Sequence, residues 1–122
     1  MRWLPLLVMG GCVSAAPVSD AERVRRIMGV NDDHKVKIQY RTHAPDEEIN
    51  RRLADVEHGI RTLLEVRPFG DDRDEILHTM TARTLPTIAE IRAARWTKEN
   101  VDSNWKKLEA VCAGCHKALE QR

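Results

Sequence analysis

The sequence predicts a single all-α domain, and three features support that class. Its 122 residues suit one domain. Charged residues make up 32% of the chain and aromatic residues only 4%, which favours a small helical protein over a β-sandwich. Apolar residues recur at helical spacing in segments that proline, glycine and charged residues separate. With so few large rings the core should be thin, and a bound cofactor would add apolar bulk to it.

Residues 1–16 are predicted to form an export signal. Arg2 precedes a short apolar run, residues 3–9, and small residues follow that run. The run is too short to span a membrane as a helix. Two cleavage sites are open alternatives. Cleavage after Ala15 in "VSAAP" follows the rule for small residues, whereas "VMGGC" resembles a bacterial lipobox that would put a lipid on Cys12.

Export also changes the charge balance of the chain. Removing Arg2 with the signal leaves 19 basic against 19 acidic residues, a net charge of zero. A neutral chain gives no electrostatic argument for a nucleic-acid partner. We therefore expect residues 17–122 to form one periplasmic domain, which a membrane would hold only through a lipid at Cys12.

The first of four predicted helices lies in "SDAERVRRIMG". Ser19 or Asp20 is its expected cap, and Gly29 its expected end. The stretch "HKVKIQYR" follows and alternates polar with apolar residues, which by itself is typical of a strand. Because one strand would have no partner, we expect an extended stretch or a continued helix there.

Three further helices are predicted after this stretch. The second begins near Pro45 in "APDEE" and ends at "RPFGDD". Its apolar residues form one face: Ile49, Leu53, Val56, Ile60, Leu63 and Leu64. The third contains Pro86, which should kink the helix or split it in two. The fourth begins near "TKENVDSNW" and reaches the C-terminal segment.

The fourth helix carries a reactive cluster on its apolar face. Its periodic apolar positions are Val101, Trp105, Leu108, Val111, Cys115 and Leu119, with Cys112 on the same side. Cys112 and Cys115 form a Cys-x-x-Cys pair that His116 follows at once. Three chemistries use such a pair, namely zinc binding, dithiol redox and covalent haem attachment.

Covalent haem explains the cluster best. A structural zinc site needs four ligands, and the chain has no second cysteine pair. A redox dithiol lies at the start of a helix that follows a strand, whereas this pair lies deep in the last helix. Cys-x-x-Cys-His is the signature of haem c. We predict one haem on Cys112 and Cys115, with His116 as an iron ligand. Two buried cysteines beside a surface histidine remain the alternative without a cofactor, and a disulfide or reductase site is another.

The segment "NWKKLEAVCAGCHKALEQR", residues 104–122, resembles the last helix of the class II c-type cytochromes, the cytochrome c′ superfamily. It has a tryptophan seven residues before the first cysteine, then an apolar helix face, the motif and a short tail. The resemblance implies an antiparallel four-helix bundle with the haem between the helices, near one end. It also implies that Trp105 and Leu108 contact the haem.

The resemblance further implies a residue of the first helix on the opposite face of the haem. Met28 in "RVRRIMG" fits this position and would be the sixth iron ligand. A core methionine is the alternative explanation of Met28. Met80, His78 and His58 are the other candidates for the ligand.

Two functions follow, and neither makes the protein an enzyme. With His116 and Met28 on the iron, the protein would carry electrons between periplasmic or membrane-bound redox partner proteins. Without a sixth protein ligand, a five-coordinate iron would bind nitric oxide or carbon monoxide. The resemblance also implies a homodimer, because class II bundles often pair.

Overall fold

The computed structural model describes residues 17–40, 46–97 and 99–120. Within these ranges the chain forms four α-helices and no strand, which confirms the all-α prediction. The helices are α1 (Asp20–Gln39), α2 (Asp46–Thr62), α3 (Arg73–Ala93) and α4 (Val101–Glu120), and a 3₁₀ helix, Leu63–Glu65, follows α2 directly. The predicted export signal with Cys12, and the predicted helix start at Pro45, lie outside the described residues.

The four helices pack in a closed order. Helix α1 contacts α2, α2 contacts α3, α3 contacts α4, and α4 contacts α1 again. Such an order is compatible with a four-helix bundle. None of the described helices has both the length and the apolar character that crossing a membrane requires.

Helix α1 begins where the sequence predicts but extends well past its predicted end. Ser19 caps it, because the Ser19 hydroxyl accepts a hydrogen bond from the backbone N–H of Glu22 at 3.1 Å. The prediction that Gly29 ends the helix is wrong, since α1 continues to Gln39. Of the two structures expected after Gly29, the continued helix is the one found.

Burial explains why α1 continues. Asn31, His34 and Ile38 are buried, and their spacing of three and four residues puts them on one helix face. Val36 and Tyr40, which a strand would place beside Ile38, are 51% and 76% exposed. The alternation of polar and apolar residues in this stretch therefore coincides with a helical pattern and does not decide the structure.

Helix α2 buries the face that its sequence predicts. Five of the predicted apolar residues are less than one-tenth exposed: Ile49, Leu53, Val56, Ile60 and Leu63. Leu64 is the exception at 39% exposed, because it follows Leu63 directly and points away from the core. The backbone changes to the 3₁₀ form at Leu63, before the loop that contains Pro68 and Gly70.

Helix α3 is one helix, so Pro86 does not split it as one of the two predicted outcomes required. A proline removes the hydrogen bond to the carbonyl four residues earlier, here that of Ala82. Both Pro86 and Ala82 are exposed, so water can hydrate that carbonyl. The buried row of α3 continues past the proline through Ile88 and Ile91.

Two clusters of buried apolar residues form the core. The first contains Ile38, Ile49, Leu53, Ile91, Trp96, Val101 and Leu108. The second contains Val56, Ile60, Leu63, Val66, Leu77 and Ile88, and Met28 of α1 packs against it. Val111 of α4 packs against both clusters and so links them.

We expect the Leu53→Ala substitution to lower the free energy of unfolding by about 2–5 kcal/mol, because it leaves a cavity where no side-chain surface is exposed. Urea denaturation followed by circular dichroism measures this change. Leu64→Ala is the matched control and should change the free energy by less than about 1 kcal/mol, because Leu64 is largely solvated. Equal losses in the two variants would contradict the assignment of the core face.

Candidate functional site

A narrow cleft between α1 and α4 collects residues from every helix. Its lining consists of Met28, Asn31, Asp32 and Lys35 from α1, Ile60 and Leu63 from α2 and the 3₁₀ helix, Thr81 and Thr84 from α3, and Val111, Cys112, Cys115 and His116 from α4. Its cavity volume is about 30 Å³. A water molecule needs about 10–15 Å³ by this measure, so the cleft has room for one or two small molecules.

Burial distinguishes an inner end of the cleft from its mouth. Leu63 and Thr81 are each 1% exposed and Asn31 is 5% exposed, so these residues form the inner end. Asp32 and His116 are exposed and stand at the mouth. A ligand that enters the cleft therefore passes from a charged edge into a largely dry interior.

The predicted haem-attachment residues lie together at this cleft. Cys112, Cys115 and His116 occupy neighbouring positions on α4, because residues three and four apart share a helix face. Both cysteines are partly buried free thiols. His116 is exposed at the mouth, where its imidazole is accessible.

Met28 is the candidate for the opposite ligand that the structure brings to the same cleft. It is partly buried on α1 and packs against the second core cluster. The other candidates do not line the cleft. His58 is exposed beside a separate groove of α1 and α2, and Nε2 of His78 lies 2.7 Å from the carbonyl oxygen of Val66. Met80 is partly buried elsewhere on α3.

Trp105 and Leu108 lie next to the cleft but do not line it. Leu108 is fully buried in the first core cluster, and Trp105 packs against that cluster. The indole N–H of Trp105 donates a hydrogen bond to the carbonyl oxygen of Lys35 at 2.9 Å. In this structure both residues join α4 to the core, and their predicted contact with haem stays a prediction.

Lys35 is a cleft residue that the sequence analysis missed. Its ammonium group donates to Glu109 Oε1 at 3.1 Å and lies 3.8 Å from a carboxylate oxygen of Asp32. Helical spacing from Met28 leads to Asn31 and then to Lys35, so the signal was present. The expected helix end at Gly29 concealed it.

The charges around the thiols favour their neutral form. Burial raises the pKa of Cys112 above its ordinary value, Lys35 lowers that pKa, and Glu109 raises it. Burial also raises the pKa of Cys115. A catalytic redox dithiol needs a lowered thiol pKa, so the site lacks the electrostatics of that class.

The site was also compared with the requirements of a bare metal ion and of haem. The described residues contain no group of three or more His, Cys, Asp or Glu side chains placed to hold a metal ion. A porphyrin differs because it supplies most of the iron ligands itself, and two thiols, one imidazole and one thioether beside apolar walls suit it. Cofactor sites hold about 300–1,000 Å³, so α1 and α4 would have to move apart for this group.

No protein-family model matches the chain, and no curated protein or solved structure matches it either. The likeness of residues 104–122 to class II c-type cytochromes therefore stays a prediction from that segment. The argument for the site rests on which side chains line the cleft, how deeply they are buried and what they bind.

We expect Lys35→Ala to raise the pKa of Cys112 further, because the substitution removes the positive charge that lowers it. The rate of iodoacetamide alkylation against pH measures this in haem-free residues 17–122 with Cys115→Ser, and the profile should move to higher pH. Lys37→Ala is the matched control, since Lys37 pairs with Asp33 and should leave the profile unchanged. A shift to lower pH for Lys35→Ala would contradict the electrostatic account.

Proposed function

We propose that the protein is a monohaem c-type cytochrome that carries single electrons between redox partner proteins. The observation that carries this proposal is the shared cleft of Cys112, Cys115, His116 and Met28. Three of these residues come from α4 and one from α1, so one group held between the two helices would meet them all. In this proposal the four helices form an antiparallel bundle with the covalent haem c on α4.

The two cysteines would anchor the haem. Each thiol adds across one vinyl group, so that one sulfur–carbon bond and one carbon–hydrogen bond form and the thiol proton stays in the product. The raised pKa of Cys112 and Cys115 keeps both thiols protonated at neutral pH, in agreement with this use. Their separation by three residues puts both on one face of α4, as attachment to one ring requires.

His116 and Met28 would be the two axial ligands of the iron. His116 follows Cys115 directly, so a ring that is tied to Cys115 lies within its reach. Met28 offers a soft, uncharged sulfur from the other helix. When bound, the haem supplies an iron that gains and loses one electron, and a methionine ligand raises its potential relative to a second histidine.

The apolar lining would keep water away from the inner face of the cofactor. Ile60, Leu63 and Val111 contribute this lining, and Leu63 is almost fully buried. The exposed mouth at His116 would leave one edge of the group near the protein surface. Such an edge suits electron exchange with a partner protein, since no substrate has to enter the cleft.

The proposed location is the periplasm. The pattern of residues 1–16 supports an export signal, and a lipid on Cys12 would hold the domain at a membrane. Haem c is attached outside the bacterial cytoplasm, so the signal and the Cys-x-x-Cys-His motif support each other.

The second candidate function is the binding of a diatomic gas. Asn31 and Thr81 favour it, because both are polar, almost fully buried and directed to the cleft that contains Met28. If Met28 does not bind the iron, a ligand such as nitric oxide or carbon monoxide has a place beside these two residues.

We expect the exported protein to retain haem after denaturation, because thioether bonds survive unfolding. Haem staining of a denaturing gel measures this. Cys112→Ser with Cys115→Ser should abolish the stain, whereas Ala113→Ser, the matched control at an exposed position between them, should keep it. Haem that leaves the unaltered chain on denaturation would refute covalent attachment.

We expect Met28→Ala to convert a low-spin visible spectrum to a high-spin one and to admit carbon monoxide, because the iron loses its sixth ligand. Met80→Ala is the control, since Met80 does not line the cleft, and its spectrum should stay low-spin. A high-spin spectrum in the unaltered protein would instead favour the gas-binding function. A low-spin spectrum in Met28→Ala would exclude Met28 as the ligand.

A further inference from the structure

The inner end of the cleft contains two buried polar atoms without a hydrogen-bond partner. They are Oδ1 of Asn31 and Oγ1 of Thr81, whose residues are 5% and 1% exposed. Four buried side-chain atoms lack a partner among the described residues, so half of them face this one cleft. An unpaired buried polar group lowers stability, and native proteins seldom keep one unless a bound molecule pairs with it.

The local structure does not use these two groups. A threonine in a helix often donates to the carbonyl four residues earlier, but the hydroxyl of Thr81 has no partner. Gly59 of α2 leaves room for the carboxamide of Asn31, because a Cβ at Gly59 would lie 3.4 Å from Asn31 Oδ1 and 3.1 Å from Ile27. Gly59 thus lets the carboxamide lie between α1 and α2 without pairing it.

The size and charge of the cleft indicate the class of molecule that these groups would bind. A cavity volume of about 30 Å³ admits a molecule of two or three atoms. The two formally charged lining residues, Asp32 and Lys35, have opposite signs and lie 3.8 Å apart, so the cleft does not select a charged molecule. Hydroxyl and amide groups donate hydrogen bonds, which suits a small uncharged acceptor.

We propose that Thr81 and Asn31 form a hydrogen-bonding subsite for a small uncharged ligand of the nitric oxide class. This inference rests on the proposed haem, whose iron would hold the ligand. Thr81 donates its hydroxyl proton, and Asn31 donates an amide proton once its carboxamide has turned about the last side-chain bond. Met28 lies one helical turn from Asn31, so its thioether and the ligand compete for the same side of the cleft.

The test uses the haem-loaded chain with Met28→Ala and carbon monoxide as the probe. A hydrogen bond to the bound probe lowers the C–O stretching frequency in the infrared spectrum. Thr81→Val has the same shape without the hydroxyl and should raise that frequency and speed dissociation about two- to tenfold. Thr84→Val is the matched control, because Thr84 lines the cleft one turn away and has no unpaired buried atom. An unchanged frequency in Thr81→Val, or an equal rise in both variants, would overturn the inference.

A second measurement does not need carbon monoxide. If the Thr81 hydroxyl is unpaired, Thr81→Val should leave the urea midpoint of the full chain unchanged or raise it. A lower midpoint would show that the hydroxyl already serves the fold, and that result overturns the subsite. Haem-stained protein with no response to Thr81→Val refutes the subsite alone, whereas a chain without haem refutes the proposed function and the subsite together.

Discussion

The candidate site depends on one constraint, the spacing of side chains along an α-helix. Residues three and four apart share a face, so α4 presents Cys112, Cys115 and His116 side by side. The same rule puts Met28 and Asn31 on one face of α1. Because the two faces meet at the cleft, a five-residue motif and one turn of a distant helix are sufficient to define the site.

The contact between α1 and α4 has to hold that cleft and is the least extensive contact between neighbouring helices. Polar groups supply part of it, namely the ion pair of Lys35 with Glu109 and the hydrogen bond from Trp105 to the Lys35 carbonyl. Polar contacts near water are worth little compared with apolar burial. A haem tied to α4 would add the apolar surface that this contact lacks, so the proposed cofactor would also stabilise the fold.

The sequence was sufficient to predict four helices, the Ser19 cap, the buried face of α2 and the motif on α4, because each depends on local spacing or a local hydrogen bond. It was not sufficient for α1. Gly29 suggested a helix end, yet its lower helix propensity costs only about 1 kcal/mol, and the buried side chains of Asn31 and Ile38 offset it. That tertiary contribution is not written in the residues around Gly29. The early helix end then excluded Asn31 and Lys35 from the predicted site.

Helix α3 shows how a polar residue in an apolar row can indicate a site. Its buried positions include Leu77, Thr81, Thr84, Ile88 and Ile91, spaced as one helix face. Pro86 made this row look like two separate segments, so the threonines did not appear as interior residues. Once the helix runs through the proline, Thr81 holds a hydroxyl where a valine would pack equally well. A position that keeps an unpaired polar group at a cost in stability is better explained by binding than by packing.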